Sequence, residues 1–256
     1  MVRKYIATAG MAVQEKTGGG ILYLLPDIVM KVIYLVPLMF IWKTLTESGY
    51  QAEMSVSQLL SYTYVNALLT DMMTVNTYLT AWNYDTRSAE MFTRPLPVFG
   101  QVISRTLGKW GPMLLLFSLP MFLAAPLLGI RILPGTLWAI PSLVLSVSIG
   151  FAFEFVFFCV TIRLRNVSWP VYVIRKAVVS FFSGTVIPFQ ILPFGLERWI
   201  RYQPFGSMGG AFLSLYVGSA KAWEVIPVQI FWNLVMWAWA VVWFRRSRER
   251  MVSFGG

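Results

Sequence analysis

Apolar residues run along this chain in long blocks separated by short polar intervals, and each block predicts a helix. The blocks cover Asp27–Thr46, Ser55–Ala81, Trp110–Ile130, Thr136–Thr161, Ala177–Leu196 and Val225–Phe244. About 20 residues of apolar helix cross a bilayer, so the pattern predicts six transmembrane helices. Two other segments have their own periodicity. In residues 1–17, Val2, Tyr5, Ile6, Ala9 and Val13 recur at helical spacing between Arg3, Lys4, Gln14 and Lys16. That spacing predicts an amphipathic helix lying along the inner membrane surface and handing the chain to the first span. The short apolar core and cleavage site of a signal peptide are missing. In residues 83–97, Asp85, Arg87, Glu90 and Arg94 precede Pro95 and Pro97, which end any helix before them. A solvated loop and a short charged helix offered to a soluble partner both fit these residues.

Composition narrows the class. The chain of 256 residues is 57% hydrophobic and 12% charged, which excludes an ordinary soluble domain. Histidine is absent, and with it the commonest general base and metal ligand. The lone Cys159 sits in an apolar block, so no disulfide framework or thiolate metal cluster is encoded. The net charge of +10 points to a basic membrane face and not to nucleic acid. Arg3, Lys4, Lys16, Arg87, Arg94, Arg105, Lys109, Arg163, Arg165 and the arginines from Arg245 to Arg250 all fall on one side of the predicted spans. Only Lys43, Arg131, Arg198, Arg201 and Lys221 fall on the other. The bias predicts a multi-pass protein of the cell membrane, with both termini and the 83–97 segment in the cytoplasm.

Few residues carry candidate chemistry. Gly108-Lys109 lacks the upstream glycine and following Ser or Thr of a phosphate-binding loop, since Ile103 and Trp110 hold those places. Glu154 is a carboxylate within an apolar block, and Ser142, Ser146 and Gly150 lie above it at i, i+4 spacing. Small residues in that pattern let another helix approach, so Glu154 is expected to face protein. Arg175 and Lys176 enter at a similar depth and are its expected partners, with Asp71 competing for the same bases. Asp27 and Lys31 are spaced to pair with each other. Trp42, Trp82, Trp110, Trp199 and Trp223 lie near block ends, where tryptophans anchor helices at the interface. The stretch Pro188–Gly206 is too apolar for water, yet Pro188, Pro193 and Pro204 forbid one continuous helix. Leu196, Trp199 and Ile200 share one face of a short helix there. A partial re-entry before that helix would make the stretch an outer gate, with Phe194 and Phe205 among its residues.

The chain resembles the permease subunits of type-two ATP-binding-cassette (ABC) exporters. The resemblance rests on the amphipathic N-terminus, the six spans and the charged segment ending Thr93-Arg94-Pro95-Leu96. It rests most on Phe181-Phe182-Ser183-Gly184-Thr185-Val186-Ile187-Pro188, then Leu192-Pro193 and Arg201-Tyr202-Gln203-Pro204-Phe205. The resemblance implies an all-α membrane permease paired with a second, identical or paralogous permease. It also implies a dimer of separate cytoplasmic ATPases that bind ATP and Mg, with no cofactor on this chain. The family's coupling helix maps onto Asp85–Phe92, which adds Met91 and Phe92 to the charged residues there. A secondary transporter and a membrane-embedded enzyme, each without an ATPase partner, are the competing classes. The first lacks an internal repeat and the second lacks converging catalytic groups.

Overall fold

The computed structural model describes residues 2–48, 54–77, 79, 91–164, 168–192 and 194–252. Among them the chain is helical and forms no strand. The helices are α1 (Val2–Thr17), α2 (Leu25–Glu47), α3 (Val56–Met73), α4 (Val98–Met113), α5 (Leu119–Ala124), α6 (Ala139–Leu164), α7 (Ser168–Phe182), α8 (Leu196–Tyr202), α9 (Gly209–Tyr216) and α10 (Ala222–Val252). A π-helical turn, Leu114–Ser118, joins α4 to α5, so Val98–Leu128 is one rod of 31 residues. Among the described residues, four helical stretches are long and apolar enough to cross a membrane: Ile21–Leu45, Val98–Leu128, Ala139–Leu164 and Ala222–Ser247.

α6 is the axis. Its apolar window is 61% buried, against 11% for the Ile21–Leu45 stretch, so α6 is surrounded while α2 lies at the periphery. Around the lower half of α6, Phe155 and Phe158 pack with Val102, Met236 and Phe244, and the Phe99 ring centroid lies 4.3 Å from that of Phe155. A second cluster fills the other half, where Leu35, Tyr62, Tyr64, Met113 and Phe117 meet. Burying such side chains in lipid gains close packing rather than release from water, which favours the small residues found at the tightest crossings.

Several expected boundaries move. The second block stops being a helix at Met73, because Thr74 caps it and Val75 takes φ +25°, a region β-branched residues rarely adopt. The fifth helix starts at Ser168, with Pro170 in its first turn, and stops at Phe182 before Gly184 turns at φ +74°. Ala177–Leu196 is therefore not one continuous helix. The third block begins at Val98, and the last helix continues through Arg245 and Arg246 instead of ending there. α1 does not lie alone on a surface. It runs along α4, where Thr8 and Ala12 are buried and Glu15 meets Arg105 at 2.5 Å. A Cβ on Gly108 would sit 2.2 Å from the Ala9 carbonyl oxygen, so that glycine serves helix contact. Trp42 and Trp110 are core residues, both 5% exposed, not interface anchors. Trp199 and Trp223 are exposed, and Trp82 lies outside the described residues.

Candidate functional site

The stripe Ser142, Ser146, Gly150 and Glu154 runs down one side of α6, and every member is buried. Each residue on it meets a different neighbour. Ser142 Oγ donates to Gln229 Oε1 of α10 at 2.8 Å, and Gln229 Nε2 donates to Ser146 Oγ at 2.9 Å. Gln229 Nε2 also reaches the Ser207 carbonyl at 3.0 Å. Gly150 lies against Val75 and Met208, and a Cβ there would come within 2.4 Å of the Val75 side chain. Glu154 faces Arg175 of α7 as a charge pair, through Oε1 and Nε, and each side chain is at most 3% exposed.

The pair is satisfied mainly by the backbone beyond α3. Arg175 Nη2 donates to the Thr74 carbonyl at 2.9 Å and to that of Val75. Glu154 Oε2 accepts from the Thr77 amide at 2.8 Å and from the Thr77 hydroxyl. A helix that ends inside an apolar bundle leaves carbonyls and amides without partners. Here a cation takes the carbonyls and an anion takes the amide, so the break in α3 and the ion pair stabilise each other. Charges buried without such bonds would cost several kcal/mol each, on the order of the whole stability of a helix contact.

Arg175 is therefore the base that meets Glu154, and Lys176 is exposed. Asp71 does not compete for Arg175, because it pairs with Lys31 of α2 at 2.9 Å. Lys31 in turn does not pair with Asp27, which meets Lys16 at the end of α1 at 2.6 Å. The i, i+4 geometry permitted Asp27–Lys31, but neighbouring elements present better-placed opposite charges to both residues.

Between α7 and α10 the chain leaves the helical pattern twice. Tyr62 Oη donates to the Gly184 carbonyl at 2.5 Å, and Asn66 Nδ2 donates to that of Thr185 at 2.8 Å, so α3 holds this first turn. The Phe189 ring fills the space where Gly184 and Gly210 have no side chains. Gln190 bonds Ser214 and Ser219 near the end of α9. α8 runs beside α10, with Arg201 near Glu224 and its last residue at Trp232. The Tyr202 carbonyl accepts from Trp232 Nε1 at 2.8 Å, and Phe205 stacks on Phe153 with centroids 4.4 Å apart. Gly206–Met208 already turns back, with the Ser207 carbonyl beside Ser146 and Gln229, and α9 continues that way until Tyr216 Oη bonds the Ile132 carbonyl. No protein-family model and no curated protein matches this sequence.

The short helix Leu196–Tyr202 is thus one arm of the dip and α9 the other, with Tyr202–Phe205 at the bottom, so the dip does not simply precede the short helix. Of the predicted apolar face only Ile200 is buried, while Trp199 is 81% exposed. The other face fixes α8, as Arg201 pairs with Glu197 and reaches Glu224 of α10 at 3.5 Å. Pro188 is buried, Pro204 and Phe205 are half-buried, Phe194 is fully exposed, and Pro193 lies outside the described residues. Of the 83–97 segment, Asp85, Arg87 and Glu90 also lie outside them. Met91 is buried in the lower aromatic cluster, Phe92 is exposed and Arg94 half-buried. Gln101 Nε2 donates to the Met91 carbonyl at 2.9 Å and the Leu96 carbonyl at 2.7 Å, anchoring this turn to α4. Sequence reasoning missed Gln101 and Gln229. Gln229 and Asn233, amides one helical turn apart in an apolar block, were the available signal for the second. Among the described residues no three His, Cys, Asp or Glu side chains cluster to hold a metal.

Proposed function

We propose that this chain is the membrane-spanning half of an ATP-driven exporter, working with a second permease and a separate cytoplasmic ATPase dimer that binds ATP and Mg. In this reading the four membrane-length helices are joined by two shorter crossings. α3 is one, with 18 residues spanning about 27 Å, and α7 with the turns after it is the other. Six crossings leave both termini and the 83–97 segment in the cytoplasm of a cell membrane. The ATPase would push on Asp85–Arg94, and the re-entrant stretch between α7 and α10 would be the gate on the outer side.

The observation that carries this reading is the contact at Gly150. Val75, at the break leading toward the charged segment, and Met208, where the re-entrant stretch turns into α9, meet on that one residue. A shift of the break therefore presses on the same residue of α6 as the re-entrant stretch and reaches the gate through that one helix. Replacing Asp85 and Glu90 together by Lys should leave the permease folded but abolish both co-purification and stimulation of the ATPase. Normal stimulation and export in that variant would refute the coupling role. Failure of the wild-type chain to co-purify any ATPase from its own membranes would refute the exporter reading.

A further inference from the structure

Two cavities open at the end of the bundle where α3 begins, and they differ sharply in character. The first, about 450 Å³, is lined by Ser55, Ser57, Gln58, Ser61, Arg131 and the backbone around Gly218. Arg131 is exposed and makes no ion pair among the described residues. Ser61 is 5% exposed. The second, about 320 Å³, lies deeper and is lined by Val65, Leu69, Leu119, Phe122, Leu143 and Phe212, among others. Its two polar neighbours are already engaged: Ser118 Oγ donates to the Leu68 carbonyl at 2.6 Å, and Tyr216 Oη bonds the Ile132 carbonyl. That cavity therefore offers nothing to a polar ligand.

The two spaces adjoin. Tyr216 lines both, and the consecutive residues Leu133, Pro134 and Gly135 fall alternately on the polar, apolar and polar cavity. Gln58 and Val65, one in each wall, are separated by about 10 Å along α3. Polarity thus falls from the end of α3 toward its middle, in the sense in which a lipid passes from head group to chain. The mouth of the apolar cavity is edged by Leu119, Phe122 and Ile140, which are exposed on membrane-length helices. Both volumes lie within the roughly 300–1,000 Å³ of ordinary ligand cavities.

We propose that the two cavities form one binding site for an anionic phospholipid, with the phosphate of its head group on Arg131 and the α3 serines and one acyl chain beside Leu143 and Phe212. The proposal rests on reading the long apolar helices as membrane spans, and it is independent of the exporter reading. A bound chain would contact Phe212 of α9, so the lipid would brace the returning arm of the re-entrant stretch.

The test uses the full chain purified in a neutral detergent, titrated with dioleoyl phosphatidylglycerol, with dioleoyl phosphatidylcholine, and with glycerol 3-phosphate alone. Thermal unfolding followed by tryptophan fluorescence and native mass spectrometry report binding. The anionic lipid should bind roughly tenfold more tightly than the zwitterionic one, as a charge-assisted contact predicts. Arg131→Gln should remove that preference while both lipids still bind. Leu143→Phe, which enlarges a residue of the apolar wall, should weaken both lipids alike. Equal affinity of the wild type for the two lipids, or an Arg131→Gln protein that keeps the preference, would overturn the site. Tight binding of glycerol 3-phosphate alone would reduce it to a free-anion pocket. A chain that stays soluble and monomeric without detergent would overturn the membrane reading itself.

Discussion

Two stretches of irregular backbone lie inside this helical bundle, and they are satisfied by opposite means. Beyond α3, the carbonyls of Thr74 and Val75 and the amide of Thr77 are held by charged side chains, Arg175 and Glu154. Between α7 and α10, the carbonyls of Gly184, Thr185 and Ser207 are held by neutral ones, Tyr62, Asn66 and Gln229. Irregular backbone at membrane depth is tolerated only when protein supplies its partners. The difference lies in how the two supports fail. Removing one charge strands the other in an apolar interior, whereas removing one neutral group leaves a single unpaired carbonyl. The first break is thus held in an all-or-none manner, and the second can loosen in steps.

The largest effect should come from Glu154→Gln, which leaves Arg175 buried without a counter-charge and should cost about 3–5 kcal/mol. Denaturant unfolding of the purified protein measures this, and Glu154→Gln with Arg175→Gln should recover part of the loss. Additive losses in that double variant would show that the two charges are not coupled. Gln229→Leu should cost less, about 1–3 kcal/mol, because it strands the Ser207 carbonyl and two serines on α6. Its signature is regional: hydrogen exchange should speed up at residues 203–210 and stay unchanged at 74–77. Equal acceleration at both stretches would erase the distinction between them. Tyr62→Phe removes one bond to Gly184 and should cost about 1 kcal/mol. Lys16→Ala breaks a half-exposed pair with Asp27 and should cost under about 1 kcal/mol, a loss that high salt conceals.

The long apolar blocks and the inward face of Glu154 could be read from the chain because both are matters of spacing. The stripe of Ser142, Ser146 and Gly150 declared a close contact before its neighbours were known. The break after Met73 could not be read. No Pro or Gly interrupts residues 56–81, and the helix ends there because Arg175, a hundred residues away, offers its carbonyls a better partner. Tertiary contacts of this kind override local propensity. The partners of Asp71 and Asp27 were misjudged for the same reason, since spacing shows which residues could meet along one helix and says nothing about the next. The dip through Tyr202–Phe205 was half legible: its prolines ruled out a single helix, but the place of the short helix as its first arm depends on Gln229 and Trp232 of the last helix.

The π-helical turn at Leu114–Ser118 sets a phase relationship between the two ends of the rod Val98–Leu128. One extra residue in an α-helix advances everything beyond it by roughly 100° about the axis, but a π turn takes up its extra residue in one wider turn and keeps the two ends nearly in phase. Below the turn the rod is timed to put Gly100 and Gly108 against α1; above it, the rod is timed to put Ser118 and the Met121 carbonyl against α3. Removing a single residue from Leu114–Ser118 would close the turn to an ordinary α-helix and leave both contacts nearly in step, whereas a deletion on either side of the turn would rotate one contact away by roughly 100°. The position in the rod most tolerant of a one-residue deletion is therefore in the turn itself, at an exposed leucine such as Leu115, whose side chain touches little.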